Sequence, residues 1–275
     1  MAHQPIVTLT TDFGWNDHYV GTVKGVILSI APNATIVDIS HAVQSFDILD
    51  GALMIAQAYS YFPAGTIHLV VVDPGVGTTR RPIIASTDRH HFVAPDNGVL
   101  SLVYSREERL HVRHVTSEHY SLQPISSTFH ARDLFGPIAA YLAKGVDSEK
   151  FGEEITDFTR FNAPKPKTVE GKLKGVVLKV DRFGNVITNL RPQDVPTLFG
   201  ADPVPFKINA GKREITSLHS VYAEGEAGEV FAIVGSMGYL ELAANRGSAA
   251  QLLGIAKGAE VTLTLEQGNA ASSGK

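Results

Sequence analysis

The residues best equipped for chemistry fall in five short stretches. In VVVDPGVGTTRRP (Val70–Pro82) an apolar run stops at Asp73, turns through Pro-Gly, passes Gly77 and delivers Arg80 to the same loop. A phosphate loop would continue into Gly-Lys-Ser/Thr, and a dinucleotide loop would carry a third glycine opening a helix; neither pattern is present. What remains is a solvated turn, or an acid and a fixed cation that together handle one small nucleophile. STFHARD (Ser127–Asp133) places His130 in the first turn of an expected helix, with Thr128 as its cap. The positive end of a helix disfavours imidazolium, so a neutral His130 able to accept a proton is expected there.

LTTDFGWNDHY (Leu9–Tyr19) sets Asp12 and Asp17 on either side of a glycine turn at a strand end. Two carboxylates so placed suit a divalent metal or the paired hydroxyls of a ribose. VDRFGNVITN (Val180–Asn189) brackets a Phe-Gly turn with Asp181 and Asn185, which can grip a polar, planar or zwitterionic ligand. IVGSMGYLELAANRGSA (Ile233–Ala249) sets Ser236, Tyr239, Asn245 and Arg246 among small residues, as for close approach of backbone to a ligand. Each stretch alone has an equally ordinary reading as a turn.

The elements that must position these residues change character along the chain. Strands are expected at Ile6–Gly14, Ala34–Ser40 and GTIHLVVVDPG, with helices over His18–Pro32 and Asp47–Tyr61, the second capped by Ser45 or Asp47. Shorter strands follow in RPIIASTD, HHFVAPDNG and HVRHVTS. A helix is expected from Thr128 to Ala143, kinked or restarted at Pro137. Alternating apolar strands and helices predict an α/β domain with a mainly parallel sheet covered by helices over residues 1–161. Asp12, Asp17 and Asp73 then share the rim at the carboxyl ends of the strands. A proline-rich linker, 162–167, precedes short alternating runs that predict an all-β, barrel-like C-terminal domain over 168–268. The small polar tail 269–275 is expected to be disordered.

Composition narrows the function. The chain has 275 residues, 44% hydrophobic and 19% charged, as for a soluble globular protein. A net charge of −4 argues against a broad nucleic-acid or anionic-membrane footprint. The absence of cysteine removes thiolate catalysis, disulfides and thiolate-bound metal. No apolar run approaches the roughly 18 residues of a membrane helix, and the start has no signal-peptide pattern, so a cytoplasmic protein is the expectation.

Taken together, TTDFG, D-P-G-V-G-T-x-R-R, APDNG, TFHARD, D-x-F-G-N and GS-x-GYLE-x-A-x-N, in this order over nearly the whole chain, resemble the S-adenosyl-L-methionine (SAM) hydroxide adenosyltransferases, or SAM hydrolases. These are relatives of the SAM-dependent fluorinase and chlorinase. The resemblance implies hydrolysis of SAM to adenosine and methionine, with no metal and no cofactor. It also implies a homotrimer that binds SAM between the N-terminal domain of one subunit and the C-terminal domain of its neighbour. The family's Asp-Arg-His set falls on Asp73, Arg80 and His130. By the same similarity Asp12 holds the ribose hydroxyls, Asp17 supports that region, and Asp181, Asn185 and Ser236 face the methionine end. Phe46, Phe129, Tyr222, Tyr239 and Arg246 complete the expected substrate contacts. Halogenating relatives carry uncharged residues at the Asp-Arg-His positions. This chain also has Phe46 where their pattern has tryptophan, and Met237 and Ala244 where it has arginines.

The implied chemistry suits these residue types. The leaving group is a neutral thioether, so no acid or metal is needed at sulfur; the difficulty is the scarce hydroxide nucleophile. A guanidinium stays protonated and can hold hydroxide electrostatically. His130 would hold or accept the proton, and Asp73 would orient Arg80 or the water. Three other readings are compatible with the residues: halide-dependent cleavage of SAM, a non-catalytic adenosine or SAM sensor, and a metal hydrolase built on Asp12, Asp17, Asp73 and His130.

Overall fold

The computed structural model describes residues 4–200 and 204–266. The chain divides into two compact units, Met1–Ala163 and Pro164–Lys275. The proline-rich segment 162–167 runs across that division, and the tail 269–275 lies outside the described residues.

The first unit is built on a seven-stranded sheet. Its strands are β1 (Ile6–Thr11), β2 (Thr35–Ser40), β3 (Thr66–Val71), β4 (Pro82–Ser86), β5 (His90–Pro95), β6 (His111–His114) and β7 (Glu154–Ile155), in the order β2-β1-β3-β5-β4-β6-β7. Strands β2, β1, β3 and β5 pair in parallel, and β4, β6 and β7 extend the sheet antiparallel. Every residue of β3 is buried, which is why its sequence, broken only by Thr66 and His68, does not alternate apolar with polar. Helix α1 (Tyr19–Ile30) and α4 (Gly136–Ala143) cover one core, around Leu9, Ile27, Leu69 and Phe135. Helix α2 (Ile48–Ala58) and the short α3 (Ser101–Tyr104) cover the other, around Ile55, Val72, Phe92 and Leu100. As expected, Asp47 caps α2, its Oδ1 accepting from the Asp50 N–H at 3.0 Å.

At the last helix of this unit the expected Thr128 cap needs correction, while the expected restart at Pro137 is met: α4 begins at Gly136. Thr128 is not a cap: its hydroxyl faces Ser126 Oγ at 3.2 Å, and the residue before the helix is His130 itself. The helix then opens as one turn of π-helix, Ala131–Phe135, closed by the Gly136 N–H on the Ala131 carbonyl. Pro137 supplies no N–H for a tighter turn, so the wider turn carries the chain into α4.

The buried face of β3 and β5 also carries an unusual pair. His68 is fully buried, with Nδ1 2.8 Å from Thr8 Oγ1 and Nε2 3.4 Å from His90 Nδ1, and it stacks on Phe92 at 4.9 Å. Burial, reinforced by His90, pushes the His68 pKa down from 6.5 to about 3. The unfolded chain therefore takes up a proton near pH 6.5 that the folded chain refuses until about pH 3. Stability is present in full above 6.5 and falls as the pH drops from there toward 3, by about 1.4 kcal/mol per unit for one such group. Melting temperature should accordingly fall from pH 7 to pH 5, less steeply in His68→Gln than in the parent; equal slopes would refute the assignment.

The second unit is antiparallel. Its strands are β8 (Lys167–Val169), β9 (Lys172–Val180), β10 (Val186–Thr188), β11 (Phe206–Ala210), β12 (Arg213–Ile215), β13 (Phe231–Val234), β14 (Leu240–Ala243) and β15 (Glu260–Leu265). They run in the order β12-β11-β15-β9-β10-β14-β13, with β8 beside β9. The long β9 pairs with both β15 and β10, and the sheet curls barrel-like around Val177, Leu190, Ile208, Leu242 and Val261. A short helix, α5 (Ala249–Leu253), is capped by Ser248.

Candidate active site

Turn chemistry folds Arg80 back onto Asp73. The Val76 N–H donates to the Asp73 carbonyl at 3.2 Å, and the Thr78 N–H and hydroxyl both donate to the Gly75 carbonyl, at 3.1 and 2.7 Å. Asn97, from the APDNG stretch, steadies the strand end by donating from Nδ2 to the Val72 carbonyl at 2.8 Å. Arg80 Nε then donates to both Asp73 oxygens, at 3.0 and 2.9 Å, and Nη2 lies 2.6 Å from Oδ2. The same Nη2 contacts His130 Nδ1 at 2.5 Å. Phe135 closes the far side, its ring centre 5.1 Å from the guanidinium carbon. Both side chains of the ion pair are almost buried, 9% exposed for Arg80 and 5% for Asp73.

These contacts fix the His130 tautomer. A guanidinium only donates, so Nδ1 accepts and a neutral ring carries its proton on Nε2. Burial, then Arg80, holds the His130 pKa below its ordinary value, against the pull of Asp73 and Asp133. Neutrality here therefore comes from desolvation and a cation alongside, in place of the helix end expected from sequence.

Asp73 and His130 both line a pocket of about 370 Å³, together with Asp12, Phe13, Tyr19, Ser45, Phe46 and Phe129. Arg80 sits behind that wall and joins Asp73 to His130. Asp12 follows the end of β1 and accepts the Phe46 N–H at 2.8 Å. Its pKa is raised, chiefly by burial and further by Asp73, against the lowering effect of the Phe46 bond. Phe46 itself is 74% exposed with φ +66°, so its backbone serves Asp12 while its ring stands open. Phe129 meets Tyr19 edge-on at 5.2 Å and Phe13 at 6.3 Å, forming an aromatic wall. Asp17 is exposed and does not line this pocket. Sequence reasoning missed Phe13, Tyr19 and Ser45; the first two lie inside the TTDFGWNDHY stretch, where the aromatics were the available signal.

The second unit gathers its own polar group. Asp181 Oδ1 accepts the Phe183 and Asn185 N–H groups at 2.9 and 2.8 Å, and Oδ2 accepts from Asn185 Nδ2 at 2.9 Å. Glu241, unforeseen from sequence, lies within this group, 4% exposed, with the Tyr222 hydroxyl donating to it at 3.4 Å. Burial and then repulsion from Asp181 raise the Glu241 pKa. Burial and Glu241 raise that of Tyr222. Ser236 is exposed between β13 and β14. The Tyr239 hydroxyl accepts from Arg191 at 2.8 Å. Arg246, with φ +52°, lies on a separate hollow of about 700 Å³ beside Asn245 and Ser248.

Among the described residues no three His, Asp or Glu side chains converge as on a metal ion. No helix there is long and apolar enough to cross a membrane.

Comparison with known proteins agrees with this architecture. Residues 7–152 match the SAM hydroxide adenosyltransferase N-terminal domain, and residues 175–262 match the corresponding C-terminal domain. A Thermus thermophilus protein named (R)-S-adenosyl-L-methionine hydrolase is 38% identical, over 94% of this chain and 98% of its own. A Salinispora tropica protein of the same name is 34% identical, over 96% and 99%. The crystal structure of an uncharacterized conserved protein from Thermotoga maritima superposes with a TM-score of 0.86 at 36% identity, covering 94% of this chain and 99% of that one. Two domain models that between them span most of both units, and relatives matched almost end to end, place this chain in the SAM hydroxide adenosyltransferase family.

Proposed function

We propose that the protein hydrolyses SAM to adenosine and L-methionine by attack of a water-derived hydroxide on the ribose C5′. The observation that carries this is the Asp73–Arg80–His130 set on the wall of the Asp12 pocket. Asp12 takes the ribose hydroxyls, which brings C5′ toward Asp73 and His130. The nucleophile sits against that pair: Asp73 accepts a hydrogen bond from it, and the His130 Nε2–H donates to it. Because the Nδ1 lone pair is committed to Arg80, His130 acts as donor, and the nucleophile enters as hydroxide whose proton is left in bulk water before SAM closes the pocket. Arg80 offsets the Asp73 charge from behind, so the incipient anion is not repelled. The aromatic wall of Phe13, Tyr19 and Phe129 keeps the site dry and offers ring faces to the sulfonium.

The names of the relatives support the (R) configuration at sulfur. Asp181, Asn185, Tyr222 and Ser236 would receive the methionine end in a homotrimer, donated by a neighbouring subunit. We infer a cytoplasmic enzyme, because SAM is too polar to cross a bilayer unaided. Incubation with SAM in water enriched in the heavy oxygen isotope tests the reaction. Label should appear at the 5′ oxygen of adenosine, whether or not chloride is present; unlabelled adenosine, or a 5′-halogenated product, would overturn it.

A further inference from the structure

Directly behind Asp12 lies a chain of side chains, buried at Thr11 and His41 and half-buried at Asp38 and Lys24, that the hydrolytic reading leaves unused. Thr11 Oγ1 accepts the Phe13 N–H at 3.3 Å and lies 2.7 Å from His41 Nδ1. His41 Nε2 is 2.9 Å from Asp38 Oδ1, and Asp38 Oδ2 accepts from Lys24 Nζ at 2.6 Å. The Thr11 residue is 3% exposed and the His41 side chain 1%. Trp15 and His41 meet nearly at right angles with ring centres 4.6 Å apart, and Lys24 Nζ lies over the indole, 5.6 Å from its centre.

Donor and acceptor chemistry orders this chain. A carboxylate only accepts, so Nε2 of His41 carries hydrogen toward Asp38. Burial, the largest influence, together with Lys24 outweighs Asp38 and holds the ring's pKa below its ordinary value, which favours the neutral form. Nδ1 is then an acceptor, and the Thr11 hydroxyl must donate to it. The hydroxyl rotor is thereby locked, with a lone pair held toward the Phe13 N–H. Residues 11 and 13 are fixed on either side of Asp12.

The position of this chain is informative. The parallel ladder of β1 with β2 keeps register from Ile6↔Thr35 to Leu9↔Asp38, then slips at Thr10, which pairs with Ser40. Just past that bulge the loop after β1 is tied to the loop after β2 by the Gly14 N–H on the His41 carbonyl, 2.8 Å, and the Phe46 N–H on Asp12, 2.8 Å. A bulge of this kind re-aims a side chain beside a site. Regular pairing of β1 with β2 ends where the relay begins, while β1 stays paired with β3 through Thr11↔Val71, so on the β2 side the relay takes over from the ladder in setting the direction of Asp12.

We propose that Thr11 and His41, anchored through Asp38 and Lys24, are positioning residues that aim the Asp12 carboxylate at the ribose hydroxyls of the substrate. The inference rests on Asp12 binding the ribose. Thr11→Val preserves shape and removes the hydroxyl, whereas Thr11→Ser restores it. Calorimetric titration with adenosine, at a temperature where each variant is folded by circular dichroism, should show Thr11→Val binding about tenfold more weakly and Thr11→Ser within about twofold of the parent. An adenosine analogue lacking both ribose hydroxyls should bind the parent and Thr11→Val alike, a selectivity that general loosening of the fold cannot produce. Equal weakening for both ligands, or none for adenosine, overturns the positioning role. Should Thr11→Val not fold, His41→Phe, which removes the acceptor of the same hydroxyl, is read by the same two ligands. Asp12→Ala separates the two ideas. If it leaves adenosine affinity unchanged, the ribose reading fails and this inference with it; if it weakens adenosine while Thr11→Val does not, the positioning role fails alone.

Discussion

Arg80→Ala should lower kcat for SAM hydrolysis by about 10²- to 10³-fold, the size typical of removing a preorganised electrostatic contact to a developing anion. The reason is more specific than the loss of one positive charge. Arg80 makes three contacts with the Asp73 carboxylate and one with His130, and it is nearly buried behind both. Without it Asp73 becomes an uncompensated anion on the pocket wall and repels hydroxide. It also attracts the sulfonium cation of the substrate. The variant should therefore bind SAM at least as well as the parent while turning it over far more slowly, so that kcat falls and KM does not rise. His130 would lose the donor that fixes its tautomer, and part of the variant population would present Nε2 as an acceptor. Arg80→Lys keeps the charge but cannot span Asp73 and His130 with a planar fork, so it should recover only part of the loss. Steady-state kinetics on the three proteins decide the matter; an Arg80→Ala enzyme with parental kcat would remove the set from the mechanism.

How much of this was readable in the sequence depends on how local the cause is. The Asp73–Arg80 loop was legible because its geometry is turn chemistry: Pro-Gly, a second glycine and Thr78 bend the chain within eight residues. The parallel strands were legible from their near-continuous apolar runs, which in β3 lead into Leu69–Val72. His130 was found for its type and neighbours, but its surroundings depend on Arg80, fifty residues away, and no local pattern announces that contact. Glu241 escaped notice because Leu-Glu-Leu in a strand reads as a solvated middle residue. In the fold its carboxyl presses against Gly235, where a side chain would collide with it, and only the three-dimensional packing of β14 reveals that. Thr11, Asp38 and His41 escaped for the same reason: an ordinary strand end and a Ser-His-Ala turn become a relay only once β1 and β2 are neighbours. Long-range pairing is what a single sequence conceals.

The same contrast between local and long-range causes identifies Gly77 as the residue whose replacement should do most damage without touching a reactive group. Two glycines shape the loop, and they are not equivalent. Gly75 has ordinary backbone angles, and an added methyl would meet nothing nearer than Thr78 Oγ1 at 3.4 Å. Gly77 has φ +78°, and its methyl would lie 2.2 Å from the Ser127 carbonyl oxygen. That carbonyl cannot retreat. Its neighbour Ser126 donates its N–H to buried Asp133 at 2.9 Å, and the Asp133 carbonyl in turn accepts the Leu122 N–H at 2.8 Å. The loop bearing Asp73 and Arg80 must therefore move away from the loop bearing Phe129 and His130, and the Arg80–His130 contact opens. A displacement of about 1 Å in a preorganised site costs on the order of 10²-fold in rate. Alanine at positive φ adds about 1–2 kcal/mol of strain, visible as a lower melting temperature. Gly77→Ala should thus lose about 10²-fold in kcat and some stability, whereas Gly75→Ala should keep most of both. Parental turnover in folded Gly77→Ala would mean that the two loops need not touch for hydrolysis, and that Asp73 and His130 do not act on one nucleophile.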